Sequence, residues 1–321
     1  MSSGTAYRPR EALPVYGGQA VLEGVMMRGR KAMAVAVRSP QGSIEIRTEA
    51  LGSLYTGPVG KVPFLRGLLG LWDALGLGFK ALTFSSNVAA GEDQKLEGPA
   101  MIVTIAVSLA FGLGLFFLLP AALAQAGETW LGINPWLGNL LEGLIRLGLI
   151  VGYIWAIGRI PDIRRLFGYH GAEHKTINAF EAGAELVPES VARFSLEHPR
   201  CGTAFLLTVV LISIVLFSLL GPLPLGWRLV SRILLIPAIA GLAFEYIRFT
   251  ARRMDNPIIR WLVGPNLALQ RLTTRQPDSG MLEVAIAAFN TMREKEGMSN
   301  GFQSDETDGA HRVRGTLPDS R

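Results

Sequence analysis

The sequence predicts an all-α membrane protein with about four transmembrane helices, an interfacial helix and a small N-terminal cytoplasmic β element. Three observations carry that expectation. The chain is 49% hydrophobic with a mean hydropathy of +0.32, too apolar for an ordinary soluble enzyme of 321 residues. Four segments have the ~20 apolar residues that a hydrocarbon core demands: Ala100–Ala124, Pro135–Ile157, Thr203–Leu220 and Leu229–Ile247. Lys and Arg are distributed unevenly between the loops that join them.

That distribution sets the expected orientation. The loops GETWLGIN and GPLPLGW carry no Lys or Arg, whereas the loop between the second and third spans carries Arg159, Arg164, Arg165, Lys175, Arg193 and Arg200. Arg228, at the start of the fourth span, is the exception, and Arg248, Arg252 and Arg253 follow that span. Both termini and the 158–202 loop are therefore expected in the cytoplasm, in a chain resident in the cytoplasmic membrane. The opening MSSGTAYRPRE lacks the apolar core of a secretory signal. A net charge of +5 calls for no nucleic acid, because basic residues facing anionic lipid give the same bias. The single cysteine, Cys201, excludes an intrachain disulfide.

Residues 1–14 and 296–321 read as disordered. Between them, 15–63 is a glycine-rich and β-hairpin segment, with Ala34–Arg38 and Ile44–Thr48 as two short strands. In 64–90, Arg66, Asp73 and Lys80 recur every seven residues, one narrow polar stripe on an apolar helix, as expected for a helix lying in the membrane interface. A re-entrant or spanning segment is the alternative. The membrane domain occupies 100–247, and 248–295 forms an amphipathic stretch with Trp261 followed by a helix capped by Asp278 or Ser279. Neither a Walker A loop nor a dinucleotide fingerprint occurs.

The chemistry concentrates at His170-Gly171-Ala172-Glu173-His174, which fits H-x-x-E-H. On a helix the two histidines stand one turn apart on one face, where both imidazoles can bind one Zn²⁺ while the carboxylate of Glu173 reaches a water as general base. Asn178 and Glu181 extend the same face. Gly171 is an objection, since glycine in a helix interior costs about 1 kcal/mol relative to alanine. His198 and Cys201 offer further ligands where the third span begins, with Pro199 suited to the first helical position. Glu245, inside the fourth span, is another candidate; its alternative is a pair with Arg248 one turn on.

GGQAVLEGVMMRG (17–29), YHGAEHKTINAFE (169–181), HPRCGT (198–203), FEYIRF (244–249) and LQRLTTRQPD (269–278) occur in that order. With these motifs the chain resembles the YqhQ-like bacterial membrane proteins over roughly 15–295. The resemblance implies a domain of unknown function spoken of as a metal-dependent enzyme, with no substrate attached. It adds Glu23, Arg28, Arg271 and Arg275 to the residues of interest. The expectation is a zinc-dependent hydrolase at the cytoplasmic membrane surface, acting on a membrane-protein or peptide substrate, with the lipid bilayer as its other partner. A scaffold or assembly factor stapled by a structural metal is the first alternative. A carrier with Glu142, Arg146, Arg232 and Glu245 lining a path is the second.

Overall fold

The computed structural model describes residues 16–51, 62–90, 99–221 and 223–297. The expected disorder of 1–14 falls outside them, as does that of 298–321. Glu296 and Gly297, which the sequence assigns to the tail, are described, and Glu296 accepts from the Lys31 amide at 2.7 Å.

The N-terminal segment forms four strands, not two: β1 (Gly17–Val21), β2 (Gly24–Arg28), β3 (Ala32–Arg38) and β4 (Ile44–Ala50), an antiparallel meander in chain order. Both faces of the sheet are covered, which fixes its side-chain pattern. Val25, Met27, Ala34 and Ala36 point to one face, and Met26, Met33, Val35 and Val37 to the other. Helix α1 (Leu65–Ala90) covers the second face with Leu77 and Ala81. Its Arg66 pairs with Glu245 and its Lys80 with Glu49, so these two members of the stripe bind the protein's own carboxylates. On the outward side Trp72 and Leu75 are exposed.

The expected first span is longer and interrupted. Helix α2 (Pro99–Leu113) passes through a π-helical turn, Gly114–Leu118, into α3 (Leu119–Leu131). Pro120 has no N–H to return to the Phe116 carbonyl, and Arg146 Nε donates to that oxygen at 2.9 Å. Helix α4 spans Pro135–Ile157, α5 Pro161–Glu181, the short α6 Pro188–Val191 and α7 Gly202–Leu219. The fourth expected span is broken, because α8 (Leu225–Leu234) and α9 (Ile236–Ala251) meet at 45° next to Pro237. Helices α10 (Pro257–Thr273) and α11 (Ser279–Lys295) complete the chain, the latter capped by Asp278, which accepts from the Met281 amide at 2.8 Å. Three helical stretches are long and apolar enough to cross a membrane, 103–131, 135–157 and 202–219, and the bent α8–α9 pair makes up to a fourth.

Two cores result. The first lies between the sheet, α5 and α11, where Tyr16 meets Phe180 and Phe289 edge-on at 5.4 and 5.1 Å. The second joins α4, α7 and α10 through Ile150, Ile154, Leu207, Val210 and Leu269. Next to it lies a buried ionic network. Glu142 accepts from Arg146 at 2.8 Å and from Arg232 at 2.7 and 2.9 Å, while Arg228 reaches Glu128 at 2.6 Å and Asn139 at 2.9 Å. Glu142, Arg146 and Arg232 thus bind one another, and Glu245 is engaged separately by Arg66.

Removing one partner from such a network leaves charges buried without compensation, a loss of about 3–5 kcal/mol. Glu142→Ala strips both Arg146 and Arg232 of their carboxylate. Purified in detergent, this variant is expected to unfold at a clearly lower temperature than the wild type, or to accumulate poorly in cells.

Candidate metal centre

Helix α5 begins at Pro161, whose fixed φ suits a first helical position, and runs through the whole H-x-x-E-H motif. Gly171 is required there. A Cβ at this position would collide with the Arg275 carbonyl oxygen and lie 2.8 Å from Leu196 Cδ2, so the missing side chain lets the Arg275 backbone and the Leu196 side chain close over the helix. The helix-propensity objection is therefore outweighed by packing. Gly18 does the same for β1: a Cβ would come within 2.9 Å of Glu173 Cδ.

These close approaches orient the histidines. His170 Nδ1 lies 2.8 Å from the Thr273 carbonyl and His174 Nδ1 lies 2.5 Å from that of Leu196. A carbonyl can only accept, so each Nδ1 carries the proton and each Nε2 in the neutral ring presents its lone pair. The rings are 4.4 Å apart, centroid to centroid. His170 Nε2 is 3.2 Å from Cys201 Sγ, and His174 Nε2 is buried with no hydrogen-bond partner. One ligand atom from each of His170, His174 and Cys201 lies within 4.8 Å of the others.

Cys201 is the N-cap of α7, its sulfur 3.4 Å from the Thr203 amide; the helix starts at Gly202, not at Pro199. Burial alone would raise this thiol's pKa, but the neighbouring His170 outweighs it and holds the thiol well below its ordinary value. Burial likewise opposes protonation of His170, and the thiolate overcomes it, pushing the imidazole up to about 9. Two imidazoles and a thiol with thiolate character, gathered in a buried spot, fit zinc, which would displace the proton that His170 shares with Cys201.

Glu173 is buried against β1, and burial raises its pKa despite the attraction of His170 and His174 and a bond from the Gly18 amide. A dication nearby would reverse that balance. His198 lies beyond the three donors. Its ring is 5.7 Å from that of His174, its Nε2 is 3.9 Å from Glu181, and Gln270 grips its backbone N–H and C=O at 2.9 and 2.8 Å. Burial lowers the His198 pKa, and Glu181 is lowered because His198 and Arg200 outweigh its own burial.

The remaining candidates are dispersed. Glu245 is drawn to Arg66 Nε at 2.6 Å, not to the histidines and not to Arg248. Glu23 occupies the β1–β2 turn at φ 51°, an uncommon conformation for a side-chain-bearing residue, and accepts two 2.6 Å bonds from Arg165 and one from Tyr169. Arg28 ends β2, where it pairs in register with Gly17 and Met33. Asn178 donates to the carbonyls of Ser195 and Glu197, Arg271 pairs with Glu197 at 2.9 Å, and Arg275 donates to the carbonyls of Arg271 and Thr274. Sequence reasoning missed Gly18, Lys175 and Gln270. All three stand inside quoted motifs; the carbonyls of Leu196 and Thr273 leave no mark in a sequence.

A family model described as "Protein of unknown function (DUF1385)" matches residues 62–295. The chain belongs to this family. It is 36% identical over 305 residues to the "Uncharacterized protein YqhQ" of Bacillus subtilis (strain 168), an alignment covering 90% of this chain and 96% of that protein. No solved structure matches.

Because Gly171 sits beneath the Arg275 carbonyl and the Leu196 side chain, Gly171→Ala should be far more damaging than its gain in helix propensity of about 1 kcal/mol would suggest. The variant is expected to melt lower, and Gly148→Ala, at a position with open space around it, serves as the control.

Proposed function

We propose that the chain is a zinc-dependent hydrolase of the cytoplasmic membrane, with His170, His174 and Cys201 holding the metal on the cytoplasmic side. The single observation that supports this best is the state of the two imidazoles. Both are fixed through Nδ1 by backbone carbonyls, the usual outer-sphere support of ligating histidines; His170 Nε2 lies 3.2 Å from Cys201 Sγ, and one ligand atom of His174 lies within 4.8 Å of those of His170 and Cys201. His174 Nε2 is a buried acceptor without a donor, which costs ~1–3 kcal/mol unless something electropositive completes it.

When bound, zinc supplies a Lewis acid that polarises the scissile group and acidifies water. The protein's own residues do the rest. His170, His174 and Cys201 would hold the ion with three protein ligands, the number found in catalytic zinc sites. Glu173, adjacent in sequence to His174 and walled by Gly18, would take a proton from the attacking water and return it to the leaving group as the scissile bond breaks. The His198–Glu181–Arg200 chain, one ring further out, keeps its charges balanced beside the site.

Membrane residence is supported by the three to four apolar stretches and by the basic loop that contains α5. The reporter positions follow from the helix ends. Reporters fused at Asp162 and after Lys295 are expected to read cytoplasmic, and reporters at Ile133 and Leu223 external; an external signal at Asp162 would remove the site from the cytoplasm.

The catalytic claim turns on Glu173. Purified protein is expected to carry close to one zinc per chain and to lose it in the His170→Ala/His174→Ala double variant. Glu173→Gln should keep metal and melting temperature while losing cellular function, by the ~10²–10⁴ that a general base contributes. Should Glu173→Gln complement fully where His174→Ala depletes the protein, the metal is structural and the scaffold reading takes over.

A further inference from the structure

The loop that follows α6 is held by α5 in an unusual way. Lys175 Nζ donates to the carbonyls of Ala192 and Phe194 at 2.7 and 2.6 Å, Asn178 to those of Ser195 and Glu197 at 2.9 and 3.1 Å, and His174 to that of Leu196. Five carbonyls in six residues thus turn towards one helix. In a trans peptide the N–H points opposite to the C=O of the same unit. The amides of Ser195, Leu196, Glu197 and His198 must therefore point away from α5.

Two of these four are used internally: Glu197 N–H donates to Ser195 Oγ at 2.9 Å and His198 N–H to Gln270 Oε1 at 2.9 Å. Among the described residues the amides of Ser195 and Leu196 meet no acceptor. They border a groove of about 440 Å³, with 194–197 on one side and Arg271, Thr274 and Gln276 on the other. The far wall leaves α10 in extended conformation, with Thr274 at φ −121° and ψ 149°. Gly171, between the two histidines in sequence, lies beneath the Leu196 side chain of one wall and the Arg275 carbonyl, which links Thr274 and Gln276 of the other. The same peptide segments also carry the carbonyls that orient His170 and His174.

We infer that this groove binds an extended polypeptide whose carbonyls accept from the Ser195 and Leu196 amides, making the substrate of the proposed hydrolase a peptide chain. The inference rests on the zinc-hydrolase reading for its chemistry, but its binding argument is separate. The volume lies within the roughly 300–1,000 Å³ of ligand sites. Unpartnered backbone donors on the 194–197 wall match the way extended peptides are gripped through their main chain. Charge argues against an anion: Arg271, the guanidinium of the groove, is already paired with Glu197, the carboxylate of the groove.

The test uses full-length Glu173→Gln protein, purified in detergent with zinc, so that binding is read without turnover. The probe is fluorescein-labelled casein, an unfolded polypeptide, followed by fluorescence anisotropy. Saturable binding is expected. Gln276→Trp, which fills the groove from an exposed position, and Ser195→Pro, which deletes one donor, should each weaken it about tenfold, the worth of one or two hydrogen bonds. Retained zinc and an unchanged melting temperature establish that both variants are folded. Absence of saturable binding, binding indifferent to Gln276→Trp, or displacement of casein by excess inorganic phosphate would each overturn the peptide groove. Casein bound by Glu173→Gln but left uncut by the wild type would instead sink hydrolysis and leave the groove standing.

Discussion

Everything near the site depends on a shortage of hydrogen-bond donors around one helix. The 192–197 loop is irregular backbone and Thr273 is the last residue of α10, so their carbonyls are not satisfied by a helix or a sheet ladder. Each carbonyl left bare would cost about 1–3 kcal/mol. Helix α5 provides the donors from Lys175, Asn178, His174 and His170. Two of the four are imidazoles, and a ring that spends its Nδ1 proton on a carbonyl has its other nitrogen set as an acceptor. The bonds that satisfy these carbonyls are the same ones that orient the two rings.

The electrostatics follow from the same packing. Placing Cys201 at the start of α7 beside His170 stabilises the thiolate form, and the thiolate in turn holds His170 above its ordinary pKa. For His170 the folded value lies above the unfolded one, so its contribution to stability is complete below about 6.5 and fades as pH rises through about 9. Cys201 works in the opposite sense, its contribution present above its ordinary pKa and lost as pH falls through the depressed value. Burial raises the Glu173 pKa, the carboxyl lying against β1 where Gly18 lacks a side chain.

The uninterrupted α7, the capped α11 and the histidine face of α5 were legible because each rests on local sequence. A continuous apolar run, an Asp at an N-cap and an i, i+4 spacing need no knowledge of the rest of the chain. Strands β1 and β2 escaped notice because β2 is covered on both faces and so lacks the polar alternation that marks a half-exposed strand. The bend at Leu235 and the π-turn before Pro120 come from tertiary demands, and the sequence marks neither beyond a proline. Glu245 shows the limit most plainly. Its neighbour in sequence, Arg248, was the obvious partner, yet Arg66, 179 residues away, takes the carboxylate. Gly171 read as a defect because the reason for it, the chain passing overhead at Arg275, lies 104 residues on (275 − 171).

The ionic network around Glu142 also has a place in time. Arg228 leaves the ribosome 82 residues after Arg146 (228 − 146), which at ~5–20 residues per second is a delay of several seconds or more. For a chain inserted as proposed, α4 first enters the bilayer with Glu142 and Arg146 one turn apart, and the two can neutralise each other while they wait. The amphipathic α8 arrives with Arg228 and Arg232 on its buried side and has no such internal partner. Its charges can be accommodated only by a membrane domain already assembled to the point of offering Glu128, Asn139 and Glu142. Insertion of the last span is thus an inspection of the earlier ones. A chain with a misplaced α3 or α4 would stall with two arginines facing lipid, before α10 could deliver the Thr273 carbonyl that finishes the histidine site.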